Sequence, residues 1–380
     1  MLLLGFGEGL HQQLSINNKG MGEGIVVLWG GTTSKPYKGL GKGRPIEFIE
    51  DDIDYLSRKM PELKYVGGEY SRWGITVKYG DKVLSEHVTG VTPNYEQMRF
   101  HIPQMGGRMI NAEDVKLRRR VAFLGADLKV RLFGDEDPIG KQITLNSIPF
   151  TVVGVEVKKM QMNMYSGPDG DKVSMPLTTF SAVFGNRYLE TVIYSPHSFD
   201  NMKGIEKRVF GVMGSKYKFD PTDDKALWVW DVVAGQKEMN LVLMGIQIFL
   251  GIIGGLTLLI AGVGVANIMY VSIKERTREI GIKMAVGARK SYILTQFLFE
   301  ALLITFLGGF FGMAVSYILT EGFKRIPIKS DVLDFMGRPT ISWEIGLIVV
   351  FILGLLGGLA GLFPALKASS VNPVESLRYE

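Results

Sequence analysis

Chemistry in this 380-residue sequence would have to come from a few places: four histidines, a glycine-rich run ending in lysine, and one glutamate inside an apolar stretch. The run Gly134-Asp-Glu-Asp-Pro-Ile-Gly140-Lys141-Gln142 approaches the phosphate-cradling pattern G-x-x-x-x-G-K-[ST]. It is one residue too long, ends in Gln and is lined by acids that repel phosphate. The turn Gly39-Leu-Gly41-Lys-Gly43 has no helix directly behind it and is no dinucleotide fingerprint. His11, His87, His101 and His197 are scattered, without an H-x-x-x-H pair, which suits solvated or hydrogen-bonded structural roles better than metal ligation. No G-x-S-x-G elbow is present. With no cysteine, thiol catalysis, disulfides and zinc-thiolate or iron–sulfur sites are excluded. No catalytic, cofactor-binding or metal-ligating residues are therefore expected. Glu300 remains, and an ionisable group in an apolar run faces either a structural partner or a route for transport or coupling.

The elements that position Glu300 are membrane spans. Residues 241–273 hold no charge, residues 291–320 hold only Glu300, and residues 345–366 hold none. A bilayer core of ~30 Å needs ~20 apolar helical residues, so each run can cross, at about 243–273, 291–320 and 343–366. The first run would make ~50 Å of helix; it either tilts steeply or projects as a stalk, and Glu238 and Asn240 favour the stalk. Small-xxx-small pairs recur at Gly251/Gly255, Gly308/Gly312 and Gly354/Gly358 with Gly357/Gly361, and suit close helix packing, within the bundle or between subunits.

The loop 274–290 carries six basic residues (Lys274, Arg276, Arg278, Lys283, Arg289, Lys290) against Glu275 and Glu279. The positive-inside rule places it in the cytoplasm, the loop 321–341 outside and the tail 367–380 inside. The chain has 43 basic and 38 acidic residues, but residues 1–240 carry 31 and 29. That near-neutral portion is no nucleic-acid footprint. Residues 11–240 read as a mixed α/β domain of two lobes lying outside, joined near 103–107 and 166–171. Expected strands lie at 24–28, 121–124 and 227–231. Helices are expected after Pro45 (Ile46, Ile49, Ile53, Leu56), over 126–133 and over 198–213. Residues 142–145 and 150–157 form a hairpin with a four-residue loop.

Within the loop, Ile280, Met284 and Ala288 recur at i, i+4, i+8 as an apolar stripe beside Glu275, Glu279 and Lys283, and Gly287 can end the short helix. Such a helix could lie on lipid or dock into another protein's groove. Here the sequence resembles the MacB/FtsX-type ABC transporter permeases. The resemblance is carried by Glu275-Arg-Thr-Arg-Glu-Ile-Gly-Ile-Lys-Met-Ala-Val-Gly-Ala288, by Gln296-Phe-Leu-Phe-Glu300-Ala301, and by the ending from Pro364 through Ala368 and Pro373 to Leu377. In the outer domain it is carried by Gly90-Val-Thr-Pro-Asn-Tyr95, Leu132-Phe-Gly134, Pro138-Ile-Gly-Lys141 and Phe150-Thr-Val-Val-Gly154.

The resemblance implies an α-helical bundle of four spans with a large MacB-like domain between the first two. It makes residues 241–380 an FtsX-like permease domain of an inner-membrane protein with a cytoplasmic C-terminus. Glu275, Arg276, Arg278, Glu279, Ile280, Met284, Ala285, Gly287 and Ala288 then form a helix seated on a cytoplasmic ATPase, which would bind the ATP and magnesium, and the chain itself is no enzyme. Implied partners are that ATPase, a second permease copy or paralogue, the lipid bilayer and, for efflux, a periplasmic adaptor and outer-membrane channel. Signal transduction of the FtsX type and lipoprotein release are the alternative outputs. The sequence departs from the pattern at its start: residues 1–10 offer only the outer end of a first span, so roughly 15–40 further residues are expected upstream. It also departs in having no fused ATPase domain.

Overall fold

A computed structural model describes residues 2–19, 22, 24–161, 164–325, 338, 340 and 343–369. Most of the loop expected at 321–341 and the motif at 370–377 lie outside the described residues. The chain divides into two compact units, residues 15–239 and residues 1–14 with 240–380.

Among the described residues the first unit carries nine strands: β1 (Val26–Gly30), β2 (Leu63–Tyr79), β3 (Lys82–Val91), β4 (Val121–Leu124), β5 (Gln142–Leu145), β6 (Ile148–Val155), β7 (Lys172–Pro176), β8 (Thr191–Pro196) and β9 (Leu227–Asp231). They run in the order β3-β7-β4-β6-β5-β2-β8-β1-β9, and β2 also pairs with β3. That extra pairing closes β2, β3, β7, β4, β6 and β5 into a ring. The 17-residue β2 belongs to both lobes: Leu63–Glu69 pairs with β8, while Val77 and Lys78 pair with β5. Its register breaks between Arg72 and Ile75, where Gly74 takes φ +76°, and a break there bends the strand.

Helix α1 (Leu2–Lys19) runs into the start of this unit. Within it lie α2 (Asp51–Lys59), α3 (Tyr95–Arg99), α4 (Ala112–Lys116), α5 (Ala126–Phe133), α6 (Leu177–Phe184) and α7 (Met202–Tyr217). The all-apolar run of β4 is buried at every position, as a strand covered on both faces requires. A core of Val26, Leu56, Val77, Leu124, Phe150, Val192, Met213 and their neighbours runs through both lobes.

Two local expectations are corrected. The helix expected from Pro45 begins only at Asp51, because the Asp52 carboxylate accepts the Ile49 N–H at 2.7 Å and holds the preceding chain out of the helix. The hairpin loop has two residues instead of four: Leu145 pairs with Ile148, and Asn146 and Ser147 turn the chain at φ +47° and +70°. Positive φ at both central residues is the tight-turn geometry that matches strand twist, and asparagine tolerates it.

The second unit is helical. It holds most of α8 (Val232–Glu275), then α9 (Thr277–Ala285), α10 (Lys290–Arg325) and α11 (Trp343–Ser369). Among the described residues three helices are long and apolar enough to cross a membrane: α8, α10 and Gly346–Ser369 of α11. Helix α8 is 44 residues long, or ~66 Å at 1.5 Å per residue, more than twice a ~30 Å core. Residues 232–240 continue the same helix past the apolar run. The N-terminal turns of α1 belong to this unit: a Cβ on Gly7 would lie 2.9 Å from a Leu250 methyl, and the Thr340 N–H donates to the Gly5 carbonyl at 2.9 Å.

Candidate functional site

Helix α9 is a nine-residue element set between two long helices. The Thr277 hydroxyl donates to the carbonyls of Ile273 and Lys274 at 3.0 and 2.9 Å, closing the end of α8. At the other end Gly287 takes φ +104°, with its N–H on Met284 O and the Ala288 N–H on Lys283 O, at 3.1 and 3.0 Å. This reciprocal pair is the Schellman stop, which glycine enters without a Cβ clash.

The apolar stripe points inward, not toward lipid or a partner's groove. Ile280 is 3% exposed and joins Met269, Ile273, Ile293, Phe297, Ala301, Ala365 and Ala368 in one cluster, with Met284 and Ala288 packed against it. The physical reason is local: a short helix between two long ones satisfies its apolar face on the helices beside it. The outward face holds Glu275, Arg276, Arg278, Glu279, Lys283, Ala285 and Gly287 together with Ile282 and Val286, which are 47% and 85% exposed. The surface available to another protein is thus two aliphatic side chains among mixed charges.

Glu300 is met by Arg276, whose Nη1 lies 3.4 Å from Oε1. Lys283 Nζ lies 3.4 Å from Gln296 Oε1. Both contacts tie the segment around α9 to α10, and the Arg276 partner was hidden in the sequence because it lies 24 residues upstream. The close helix approaches fall at glycines 357 and 361: a Cβ on Gly357 would lie 2.5 Å from Thr305 Oγ1, and one on Gly361 2.5 Å from the Ala301 Cβ. A Cβ on Gly354 would be 3.4 Å from Phe306, while Gly251, Gly255, Gly308, Gly312 and Gly358 meet nothing within 4 Å among the described residues.

In the nine-stranded unit, Gly134 to Lys141 connects α5 to β5, so the run leads into a strand and has no helix N-terminus to offer a phosphate. Lys141 is paired with Glu136 there. His101 does what the sequence hid. It lies buried with Glu156 and Asp169, their ligand atoms all within 4.8 Å of one another, a spacing that could hold a metal ion. Cationic side chains already hold these carboxylates. Lys159 Nζ stands 2.9 Å from Glu156 and 3.0 Å from Asp169, and Arg99 and Lys172 each reach Asp169 at 3.0 Å. Burial pushes the Asp169 carboxyl up, but Arg99, Lys172, His101 and Lys159 outweigh it and hold it well below the carboxylate range. Burial, reinforced by Lys159, lowers His101 against the opposing pull of Glu156 and Asp169. A second buried carboxylate, Glu69, accepts from Tyr95 at 2.8 Å, Tyr165 at 2.6 Å and Thr191 at 3.1 Å. His87 sits under Trp73, ring centroids 4.0 Å apart, and burial brings it to about 3. Ion pairs and ring stacking hold these buried groups together, while α9 presents Ile282 and Val286 as exposed aliphatic side chains.

Profiles of two domain families cover most of the chain. The MacB-like periplasmic core domain matches residues 1–211 and the FtsX-like permease C-terminal domain residues 251–373. All of the chain aligns with the macrolide export ATP-binding/permease protein MacB of Bdellovibrio bacteriovorus at 30% identity, covering 57% of that protein. A pyoverdine export ATP-binding/permease protein PvdT of Pseudomonas aeruginosa is 29% identical over 99% of the chain and 54% of its own length. The chain therefore spans a little over half the length of these curated relatives. The uncharacterized ABC transporter permease YknZ of Bacillus subtilis is 27% identical over all of the chain and 91% of its own length.

Proposed function

This chain belongs to the MacB/FtsX-type ABC transporter permeases, and from that premise we propose that it converts ATP hydrolysis by a cytoplasmic ATPase into motion of its outer domain, driving export. The observation that carries this reading is α9, a capped helix anchored by Ile280 inside the permease unit, with Ile282 and Val286 directed outward. Anchoring on one face and docking on the other lets a push on α9 reach α8, α10 and the last turns of α11 through packed side chains. In this reading α9 lies in the cytoplasm, the 15–239 unit lies outside, and two permease copies face two ATPase copies. Export is favoured by the relatives named for macrolide and pyoverdine export. A periplasmic adaptor and outer-membrane channel would complete the path.

The test is reconstitution. This 380-residue chain alone in proteoliposomes should show no ATP turnover, since the run nearest to a phosphate loop, Gly134 to Lys141, enters a strand. Turnover should follow addition of a cognate ABC ATPase. Hydrolysis by the permease alone at transporter rates would sink the reading. So would failure of every ABC ATPase of the source organism to bind.

A further inference from the structure

One residue separates α8 from α9. Helix α8 ends at Glu275 and α9 starts at Thr277, with Arg276 between them at φ −97° and ψ +13°, in the bridge region beside the helical one. The chain is not slack there: the Arg276 N–H donates to Ser272 at 3.1 Å, and its carbonyl accepts from Ile280 at 3.0 Å. Such a residue is a joint, since its own two torsions set the angle between the helices. Its side chain leaves the joint for α10, where Nη1 lies 3.4 and 3.5 Å from the two carboxylate oxygens of Glu300. Helix α10 receives α9 in two rows. Ile293, Phe297 and Ala301, four residues apart, are buried in the cluster that holds Ile280. Gln296 and Glu300, also four apart, meet Lys283 and Arg276. The apolar row is non-directional and tolerates sliding. The ion pair does not. Glu300 is the one charge in residues 291–320, and a carboxylate in an apolar span is costly without a partner. Swinging the joint off α10 would strand that charge, whereas Gln296 is neutral and carries no such penalty.

We propose that Arg276 and Glu300 are a positioning pair that pins the α8–α9 joint to α10, so that a displacement of α9 is passed to α10 instead of being lost in rotation about the joint. The consequence for coupling rests on the reading of α9 as the ATPase-docking helix. The pin itself is measured without an ATPase.

The chain has no cysteine, so Val286→Cys and Leu307→Cys place one spin label on α9 and one on α10, both at exposed positions. The distance between the labels is measured in lipid nanodiscs. Its distribution should be narrow with the pair intact. In Glu300→Gln and in Arg276→Gln it should be about twofold broader, since excursions of α9 no longer strand a charge paired across the joint. The double neutral variant should be no broader than either single, because the pair is already broken in each. Arg289→Gln, which removes a different charge of the same loop, should leave the width unchanged. Equal widths in Glu300→Gln and its parent would overturn the pin, and so would single effects that add in the double variant. In unlabelled protein reconstituted with a cognate ABC ATPase, Glu300→Gln leaves the outward face of α9 untouched and should retain ATPase binding. The ATP-dependent signal of a fluorophore on the outer domain should fall about fivefold per ATP turned over. An undiminished signal would overturn the role in coupling. Wild type that gave no ATP-dependent signal would count against the transport reading, and the label distances would still decide the pin.

Discussion

His101 puts a buried titratable ring between two carboxylates, 3.3 Å from each. Because burial depresses its pKa, the unfolded chain takes up this proton first. Stability is therefore constant above the unfolded value near 6.5 and falls as pH drops below it toward the folded value. His87 acts with the same sign. The denaturation midpoint of the outer domain should fall between pH 7.5 and 5, and His101→Gln should shrink that fall by about 2–4 °C for each kcal/mol removed. Identical slopes in variant and wild type would refute the assignment. Asp169→Asn leaves Arg99 and Lys172 buried beside a neutral group, and should cost about 3–5 kcal/mol in a chemical denaturation series. None of this was legible in the sequence. Asp169 stands 70 residues from Arg99, and nothing in local spacing says that β6, β7 and the turn after α3 bring them together.

Helix α9 shows how far a periodic pattern reaches. The spacing of Ile280, Met284 and Ala288 and the stop at Gly287 were readable, since both are properties of one helix. Which neighbour receives the stripe was not, because periodicity defines a face and not what covers it. The two faces can be separated by experiment. Ile280→Asp buries an unpaired charge and should destabilise the permease unit by several kcal/mol, seen as lost monodisperse yield in detergent. Val286→Asp should leave thermal stability unchanged and reduce co-purification of the ATPase at least tenfold. Stable Ile280→Asp protein, or undiminished ATPase binding by Val286→Asp, would contradict the division. The crossing of α10 and α11 offers a similar contrast. Gly361→Val drives a side chain against Ala301 and should cost about 1–3 kcal/mol by overpacking. Gly255→Val meets nothing within 4 Å of its Cβ among the described residues, so a loss of dimer there with stability retained would mark a subunit interface.

At the scale of the molecule, the spans were the most legible feature, since long charge-free runs have one stable solution in lipid. The closed strand ring was not, because the β2–β3 hairpin is local but its closure through β7, β4, β6 and β5 depends on long-range pairings such as His87↔Lys172. If α8 carries motion between the units, Glu238→Pro, which removes a helical hydrogen bond at a cost of ~3 kcal/mol, should preserve ATP turnover while abolishing ATP-dependent change in a fluorophore on the outer domain. Unaltered outer-domain response would rule out α8 as the carrier. The joint above that position decides how such motion arrives. Strand β9 ends at Asp231 and α8 begins at Val232, with the Asp231 carboxylate accepting from Ala234 and the Val232 N–H held by Ile25. No slack lies between strand and helix. A pull along β9 therefore loads its pairs with β1, from Val26↔Asp231 to Gly30↔Leu227, in shear and all at once. A sideways pull would unzip the same pairs one by one, so this joint is stiff to tension along the strand and compliant to peeling across it.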